Sequence, residues 1–490
     1  MITEITLGEW LPDHSDYKNP GLTVSDGCYA SAGGYSPLRL PAGSGVTISG
    51  TIKGAARFLR SDGQVVVVVG TDTDLHTIIG GTATASSLSL SVSGDVIWSF
   101  ERFGAQVWAF AYNQTPHYIA DIETGSTFAP HPGVAPKAAN GNRVADFMVT
   151  ANMVDIDAST APYRVRWSKF NDPAGDYGTD IATQSGYVDM PQAFGPVVGV
   201  YGGRYNVVLQ KYGVSRLAYT GGASAFSKDV IEEETGCISA ASVATVGSVV
   251  FFLSSAGFMM TDGTSVRPIS DGRVWEWFQR NSNPAELGAV QGSVNWADRA
   301  VVWSFVPANG TGYTRQIIYA WEHNRWTTAS VPVDWLFETN EAGLSLEEVA
   351  AVYPDLDAMA ISLDSPEFKA RDRAFACFVN GEFGAMAGDA AEAVWETGEF
   401  QPKVGYRVST RELRPLVENQ NVNAQLAIGS RDVNKGDAVE WTADVPVGGA
   451  GFAPVIKDGR YLRARMKVPQ GAVWDKAVGM QVDYIPTGKT

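Results

Sequence analysis

Short apolar runs separated by tight turns recur along most of this chain. Each unit holds one apolar run, a turn, a second apolar run, and then Gly or Asp-Gly. Examples are Gln64–Gly70 with Leu75–Gly81, Gln106–Tyr112 with His117–Gly125, Tyr205–Leu209 with Ser215–Gly221, Ser248–Leu253 with Phe258–Gly263, and Ala374–Val379 with Phe383–Gly388. Runs of this length bounded by such turns predict β-hairpins rather than helices.

The hairpin units repeat with a loose period. Seven units begin near Gly54, Val96, Asn142, Val197, Ser242, Ser293 and Ala350. Strand-and-turn units spaced by roughly 40–50 residues are typical of β-propeller blades. The pattern therefore predicts an all-β protein with a β-propeller body, a ring that has two faces and an axial channel.

The two ends of the chain differ from this repeat. Residues 1–45 are rich in Gly, Pro, Ser and Asp and predict an extended arm that belongs to a platform domain. Residues 46–397 form the predicted propeller-like body, and 398–490 a C-terminal β domain of sandwich-like type. Short helices are predicted only as insertions, at Gly272–Asn281 and Ser345–Ala351, where Ser345 would cap the helix.

One C-terminal segment alternates strictly between apolar and polar residues. Within Tyr461–Val468, Leu462, Ala464, Met466 and Val468 share one face, and Tyr461, Arg463, Arg465 and Lys467 share the other. The second face carries the least ordinary feature of the chain, a stripe of Arg460, Arg463, Arg465 and Lys467 beside Lys457. Two interpretations remain open: a solvated sheet face, or a docking site for an acidic partner, with Arg suited to bidentate pairing.

Composition narrows the function. The chain has 490 residues, 45% of them hydrophobic, and a net charge of −16, which predicts two or three well-packed domains. Residues 1–397 hold 24 Lys and Arg against 43 Asp and Glu, whereas 398–490 hold 13 against 10. So acidic a body argues against ordinary nucleic-acid binding. It permits a like-charged wall past which nucleic acid slides.

Residues that could indicate a cell compartment are few. The chain has three widely spaced cysteines, Cys28, Cys237 and Cys377, so neither a zinc site nor a disulfide framework is expected. We therefore expect the protein to fold in the cytoplasm. The N-terminus lacks the pattern of a signal peptide. The most apolar long stretch, Val243–Met260, is broken by Ser and Gly and predicts strands, not a membrane span.

No catalytic set stands out. The motifs GxSxG and HExxH and the phosphate-binding Walker loop are absent, and no cofactor or metal is expected. Asp72/Asp74, Asp155/Asp157 and Asp355/Asp357 could bind calcium or form paired acids. Turn chemistry is the favoured interpretation, because the Gly and distal Glu of a calcium loop are missing.

The histidine and tryptophan residues are further candidates for a binding site. The five His residues are not paired at ligand spacing. A Trp cluster could be a sugar platform, although aromatics in strands more often pack between blades. Its members are Trp275, Trp277, Trp303, Trp321, Trp326 and Trp335.

Several phrases resemble one protein family. They are GGYSP at Gly33–Pro37, WSKFNDP at Trp167–Pro173, GYVDMP at Gly186–Pro191, and the segments Val197–Gly222, Ile231–Gly263, Val266–Phe278 and Tyr461–Gly488. Together they resemble the tail-nozzle proteins of short-tailed bacteriophages, which include tail tubular protein B and the packaged-DNA stabilisation protein. The likeness is one of rhythm and short phrases over most of the chain.

The resemblance implies a structural virion protein and no enzyme. It implies a homohexameric ring below the portal and the tail adaptor protein, with tail fibres, spikes or a needle as further partners. Double-stranded DNA would be retained in its lumen and conducted out during ejection, without membrane insertion. A carbohydrate-binding or polysaccharide-degrading tail propeller is the alternative. A cellular scaffold propeller is a third, but its expected Trp-Asp pattern occurs only in isolation.

Overall fold

The structure is a computed structural model that describes residues 1–16, 19–202, 206–221, 225–340, 373–418, 423–432 and 438–489. Strands dominate these residues. The α-helix Trp275–Asn281 lies within the predicted Gly272–Asn281, and 3-10 turns occupy Gln192–Phe194, Ala240–Ser242 and Pro284–Ala289. The other predicted helix, Ser345–Ala351, lies outside the described residues.

Seven four-stranded antiparallel units follow one another in the part of the chain that the structure describes, and we number them blades 1 to 7. Blade 1 comprises Ile52–Leu59, Val65–Thr71, Leu75–Ile79 and Thr82–Ala85. Blade 2 comprises Ser99–Phe103, Gln106–Phe110, His117–Ile119 and Ala129–Pro130. Blade 3 comprises Lys137–Val144, Phe147–Val154, Thr160–Trp167 and Gly186–Asp189. Blade 4 comprises Val197–Tyr201, Asn206–Gln210, Val214–Tyr219 and Phe226–Glu232. The all-β prediction with propeller blades is therefore confirmed.

The remaining blades complete the ring. Blade 5 comprises Ala244–Val246, Val249–Ser254, Gly257–Thr261 and Val266–Pro268. Blade 6 comprises Gln291–Asn295, Ala300–Phe305, Arg315–Ala320 and Arg325–Ala329. Blade 7 comprises Trp335–Asn340, Arg373–Val379, Glu382–Ala385 and, from the N-terminal region, Ala42–Thr47. Six predicted unit starts fall in or within three residues of a blade's first strand, whereas Ala350 lies outside the described residues.

Blade 7 is closed by a strand from the other end of the chain. Ala42–Thr47 pairs antiparallel with Glu382–Ala385, which places Gly43 opposite Gly384. The hydroxyl of Ser44 donates to the Phe383 carbonyl at 2.8 Å. Because Ala42–Thr47 directly precedes blade 1, this pairing clasps the first and last blades together.

Buried apolar layers between neighbouring blades hold the ring. Blades 1 and 2 meet at Val68, Trp98 and Val107, and blades 7 and 1 at Val67, Phe337 and Phe378. Further buried layers join blades 2 with 3, 3 with 4, 4 with 5, 5 with 6, and 6 with 7. The ring is therefore continuous, as expected of radially repeated sheets.

A β-sandwich is assembled from both ends of the chain. One sheet contains Ile2–Thr6, Cys28–Ser31, Gly34–Pro37, Tyr406–Glu418, Asp458–Gly459 and Lys476–Lys489. The facing sheet contains Leu22–Asp26, Ala393–Thr397, Gln425–Arg431, Glu440–Trp441, Val445–Pro446 and Tyr461–Val468. Val408 and Val482 from one sheet and Leu426 and Met466 from the other share a fully buried core. The alternation predicted for Tyr461–Val468 is confirmed, since its four aliphatic residues are buried.

The sandwich and blade 6 form one continuous body. Asp26 pairs in parallel with Thr328, and the hydroxyl of Thr327 donates to the Cys28 carbonyl at 2.7 Å. Trp303 and Trp326 of blade 6 lie in the same apolar core as Trp395 of the sandwich. The domain limits after residues 45 and 397 remain predictions. In the structure, Ala42–Thr47 belongs to blade 7, and Ala393–Thr397 belongs to the sandwich.

Closing blade 7 leaves no room for a side chain at Gly384. A Cβ there would lie 2.5 Å from the Ala42 carbonyl oxygen, whereas one at Gly178 would meet nothing within 4 Å. We expect Gly384→Ala to lower the free energy of unfolding by about 1–3 kcal/mol, as overpacking does, and to speed proteolysis within 38–51. Thermal unfolding against Gly178→Ala checks this. Equal stability of the two variants would contradict the clasp.

Candidate functional site

The first strand of each blade lies nearest the propeller axis. These strands pack against one another between most neighbouring blades, including blade 7 against blade 1. Residues at or just before their starts, such as Ile52, Ser99, Val197 and Gln291, line one region at a single face of the ring. We call this region the axial mouth. Two cavities here share Asp95, Val96, Ile97 and Ala240, and their linings draw on blades 1, 2, 3, 4, 6 and 7 and on the segment before blade 5.

A connecting segment between blades 1 and 2, Gly94–Ile97, lies across the axial mouth. Lys53 Nζ donates to the Gly94 carbonyl at 2.6 Å, and the backbone N–H of Trp98 donates to the Lys53 carbonyl at 2.9 Å. Burial of the Trp98 ring between blades 1 and 2 anchors the segment's C-terminal end. Asp95, Val96 and Ile97 are therefore held at the axial mouth, between these two anchored ends.

Two cavities flank this segment. The larger has a volume of about 440 Å³ and is lined by residues of blades 2 to 4, including Asn140, Tyr201 and Lys211, and by the segment before blade 5. The smaller has a volume of about 150 Å³ and is bounded by Lys53, Gln291 and Trp335. Asp95, Val96, Ile97 and Ala240 line both. Only the larger falls in the usual range for small-ligand sites, ~300–1,000 Å³.

The polar groups at the axial mouth suit binding better than nucleophilic chemistry. Burial raises the pKa of the Cys237 thiol to about 12, so the reactive thiolate is scarce at neutral pH. Burial also raises the pKa of Tyr313, whose hydroxyl donates to the Ala289 carbonyl at 2.9 Å. Both groups stay neutral and act as fixed parts of the wall.

A charged cluster crosses the inner strands of blades 7 and 1. The carboxylate of Glu338 accepts from the guanidinium of Arg57 and, at 2.7 Å, from the indole Nε1 of Trp296. Arg373 Nε lies 3.4 Å from the same carboxylate. The cluster thus ties blades 1, 6 and 7 together by hydrogen bonds that are partly shielded from water.

The predicted docking residues are largely engaged within the chain. Arg463 is buried, donates to the Thr397 carbonyl at 3.1 Å and pairs with Asp16 at 3.1 Å. Arg465 pairs with Asp444 and Glu396, and its guanidinium lies 4.5 Å from the Trp441 ring centroid. Their docking role stays a prediction, but these two side chains are occupied in the single chain.

The other two docking candidates are less enclosed. Lys467 Nζ lies 2.7 Å from Asp444, and about a quarter of its side chain, 27%, is exposed. Arg460 is half-buried as a residue, and its guanidinium lies 5.4 Å from the Tyr461 ring centroid. Lys457, at the end of the stripe, pairs with Glu440 at 3.0 Å. Arg460 and Lys467 are the members of the stripe best placed to reach a partner.

The described aspartate pairs serve turns and ion pairs. Asp74 accepts from the backbone N–H groups of Leu75, Ser87 and Leu88, and Asp157 accepts from Ser159. Asp155 differs, because its side chain is only 1% exposed and it pairs with Arg164 at 2.7 Å and Arg166 at 2.8 Å. These bonds hold its pKa below the usual range although burial opposes them. Asp355 and Asp357 lie outside the described residues.

The aromatic candidates are mostly parts of cores. Trp303 and Trp326 are fully buried and stack on each other with centroids 5.9 Å apart. Trp277 packs edge-on against the buried Trp10. A flat, exposed sugar platform is not formed by these three rings. His76 and His117 are buried, and desolvation lowers the pKa of each.

Neither a metal-ligand cluster nor a membrane-spanning helix occurs among the described residues. Within the ranges given above, no three His, Cys, Asp or Glu side chains gather as the ligands of a metal ion would. In those same ranges, no helix has the length and apolar character to cross a membrane.

Comparisons with known proteins leave the family open. No protein-family model matches the chain, and no curated protein is similar to it. Among solved structures, it is similar to YCF48 bound to D1 peptide, with 12% identity, coverage of 69% of this chain and 93% of that one, and a TM-score of 0.36. It is also similar to BBS1N in complex with ARL6DN, with 12% identity, coverage of 71% and 96%, and a TM-score of 0.35. Similarities this low carry no argument about function.

The axial mouth was not predicted from the sequence. Its lining residues are scattered from Thr51 to Trp335 and share no motif. One signal was present: the linker 86–98 between blades 1 and 2 is long for a connection between neighbouring blades. Such a linker has to cross a surface, here the face of blade 1, where the Val92 N–H donates to the Asp72 carbonyl at 2.9 Å.

Glu101, on the inner strand of blade 2, should make stability depend on pH. Burial raises its pKa to about 7, although Arg143 acts in the other direction. Because the folded protein holds this proton more tightly than the unfolded chain, stability should fall as pH rises from about 4.5 to 7 and then level off. Unfolding by denaturant at pH 5 and pH 8 measures this fall in stability. The fall should be smaller in Glu101→Gln than in the wild type. Glu123→Gln is the control, since the pKa of Glu123 is lowered; equal losses in wild type and Glu101→Gln would contradict this.

Asp155 should be structural rather than catalytic. Asp155→Asn leaves Arg164 and Arg166 without their buried counter-charge, and breaking such a pair typically costs about 3–5 kcal/mol. Asp157→Asn, two residues away on the exposed turn, should cost under ~1 kcal/mol. Urea unfolding of both variants separates the cases. Similar midpoints would show that the Asp155 ion pairs do not stabilise blade 3.

Proposed function

We propose that this chain is a structural subunit of the tail nozzle of a short-tailed bacteriophage. In this role it retains packaged double-stranded DNA and conducts it during ejection, as a virion component and not an enzyme. The observation that carries the proposal is the joined architecture: a clasped seven-bladed ring that shares a sheet and a core with a sandwich built from both chain ends. Such a body suits a rigid wall element.

The DNA path would lie between copies of the chain. The axial mouth is crossed by Gly94–Ile97, and its larger cavity, about 440 Å³, has the size of a small-ligand site. A duplex whose major groove alone is ~12 Å wide does not fit there. A ring of several subunits, taken here as six, would have to enclose the lumen.

The charge distribution supports a conduit of this kind. Residues 1–397 carry 43 Asp and Glu against 24 Lys and Arg. Where this acidic surface faced the lumen, it would repel DNA phosphates and prevent the sticking that phosphate neutralisation produces. The sandwich, with its more balanced charge, would dock to neighbouring subunits or to the tail adaptor protein.

Within the sandwich, Arg460 and Lys467 are the proposed contacts for a partner. Arg463 and Arg465 belong to the same stripe, but their buried or paired side chains support the strand Tyr461–Val468 first. Replacing them would disturb folding as well as docking. The carbohydrate alternative would need an exposed aromatic surface, and Trp303 and Trp326 do not supply one.

Electron microscopy tests the assembly directly. Purified protein, alone or with a tail adaptor protein, should form closed rings or tubes. Arg460→Ala with Lys467→Ala should reduce assembly by about tenfold if each lost contact is worth roughly 0.5–1 kcal/mol, while thermal stability stays near wild type. Arg407→Ala, an exposed cation on the other sandwich sheet that pairs with Asp432, is the control. A strictly monomeric protein that never enters a virion would refute the proposal.

A further inference from the structure

We propose that the axial mouth is a binding site for a basic side chain, an arginine guanidinium or a lysine ammonium, presented by a partner protein. The smaller cavity, about 150 Å³, would take the side chain. The adjoining larger cavity would take the flanking peptide. This site does not depend on the nozzle proposal, since it is formed entirely within one chain.

Gln291 provides a buried acceptor without a partner. Its side chain is 4% exposed, and its Nε2 donates to the Asp334 carbonyl at 3.1 Å, which fixes the amide. Its Oε1 is left with no hydrogen bond, and the residue lines the smaller cavity. Buried acceptors nearly always find a donor, so this oxygen indicates a ligand that donates hydrogen bonds.

Asp95 places a carboxylate at the same cavity. It lies on the segment that crosses the mouth, lines both cavities and is exposed. Its carboxylate forms no ion pair and no side-chain hydrogen bond with the other described residues. A free carboxylate beside an unpaired amide oxygen favours a cationic donor, because charge-assisted hydrogen bonds are the stronger ones.

The nearby lysines already have other contacts. Lys53 Nζ donates to the Gly94 carbonyl at 2.6 Å, so it braces the segment on which Asp95 lies. Lys211 Nζ lies 5.4 Å from the centroid of the Tyr212 ring. Neither forms an ion pair with Asp95, and the acidic propeller around them attracts cations over a longer range.

The dimensions indicate a side chain rather than a whole metabolite. A cavity of about 150 Å³ is below the usual range of small-ligand sites, ~300–1,000 Å³. It opens beside Val96 and Trp335, whose apolar surfaces suit the methylene stem of an arginine or lysine. The polar groups then receive the charged head.

Calorimetry with small capped probes tests the proposal. Nα-acetyl-arginine N-methylamide or its lysine counterpart should bind the full-length protein. The neutral isostere Nα-acetyl-citrulline N-methylamide should bind at least about tenfold more weakly, as expected for the loss of one charge-assisted bond. Asp95→Asn should weaken the cationic probes by about the same factor. Asp475→Asn removes an equal charge from the sandwich surface and should have no effect.

Any of three outcomes would overturn the proposal. The first is that neither cationic probe binds at millimolar concentration; in that case, binding of free spermidine would show that the site takes a small polyamine and not a partner's side chain. The second is that citrulline binds as well as arginine. The third is that Asp475→Asn weakens binding as much as Asp95→Asn. Failure of the protein to join a virion would leave these measurements unchanged.

Discussion

Closure of the ring is the constraint on which the rest of this structure depends. Seven blades bury their faces only if blade 7 meets blade 1, and that contact is made by Val67, Val69, Phe337 and Phe378. The chain secures it by pairing Ala42–Thr47 with Glu382–Ala385, residues more than three hundred positions apart. Loop-closure entropy grows only with the logarithm of length, so joining such distant segments adds about 0.6 kcal/mol per doubling. Buried blade-to-blade layers readily offset that cost.

The sandwich follows from the same closure. Once the N-terminal strand lies in the last blade, the residues before it and the residues after that blade leave the ring close together. Residues 1–37 and 393–489 then supply strands to both sheets of the sandwich. Leu22–Asp26 also meets the outer strand of blade 6, where Asp26 pairs with Thr328 and joins the blade to the sandwich sheet. The N-terminal segment thus closes blade 7, supplies strands to the sandwich and contacts the outer strand of blade 6.

Hairpins that are built from neighbouring residues could be predicted from the sequence, and pairings between distant segments could not. Apolar runs around a tight turn predict the strands Val65–Thr71 and Leu75–Ile79. Ala42–Thr47 has the sequence AGSGVT and is mostly exposed, so only its partner makes it a strand. The alternation of Tyr461–Val468 predicted which side chains share a face, but not that Glu396, Asp444 and Trp441 cover its basic side. Those partners come from two other parts of the chain, Ala393–Thr397 and the segment 440–446.

The axial mouth shows why a site can be absent from the linear pattern and still be well defined. Several blades and connecting segments contribute only a few residues each, and none of these residues differs in type from ordinary turn or strand residues. The site arises because seven inner strands begin at one face and because Gly94–Ile97 is held across that face by Lys53 and Trp98. The same segment lines both cavities of the single chain. A conduit for DNA and a site for a basic side chain are therefore compatible, since the first needs the space between subunits and the second needs the centre of each one.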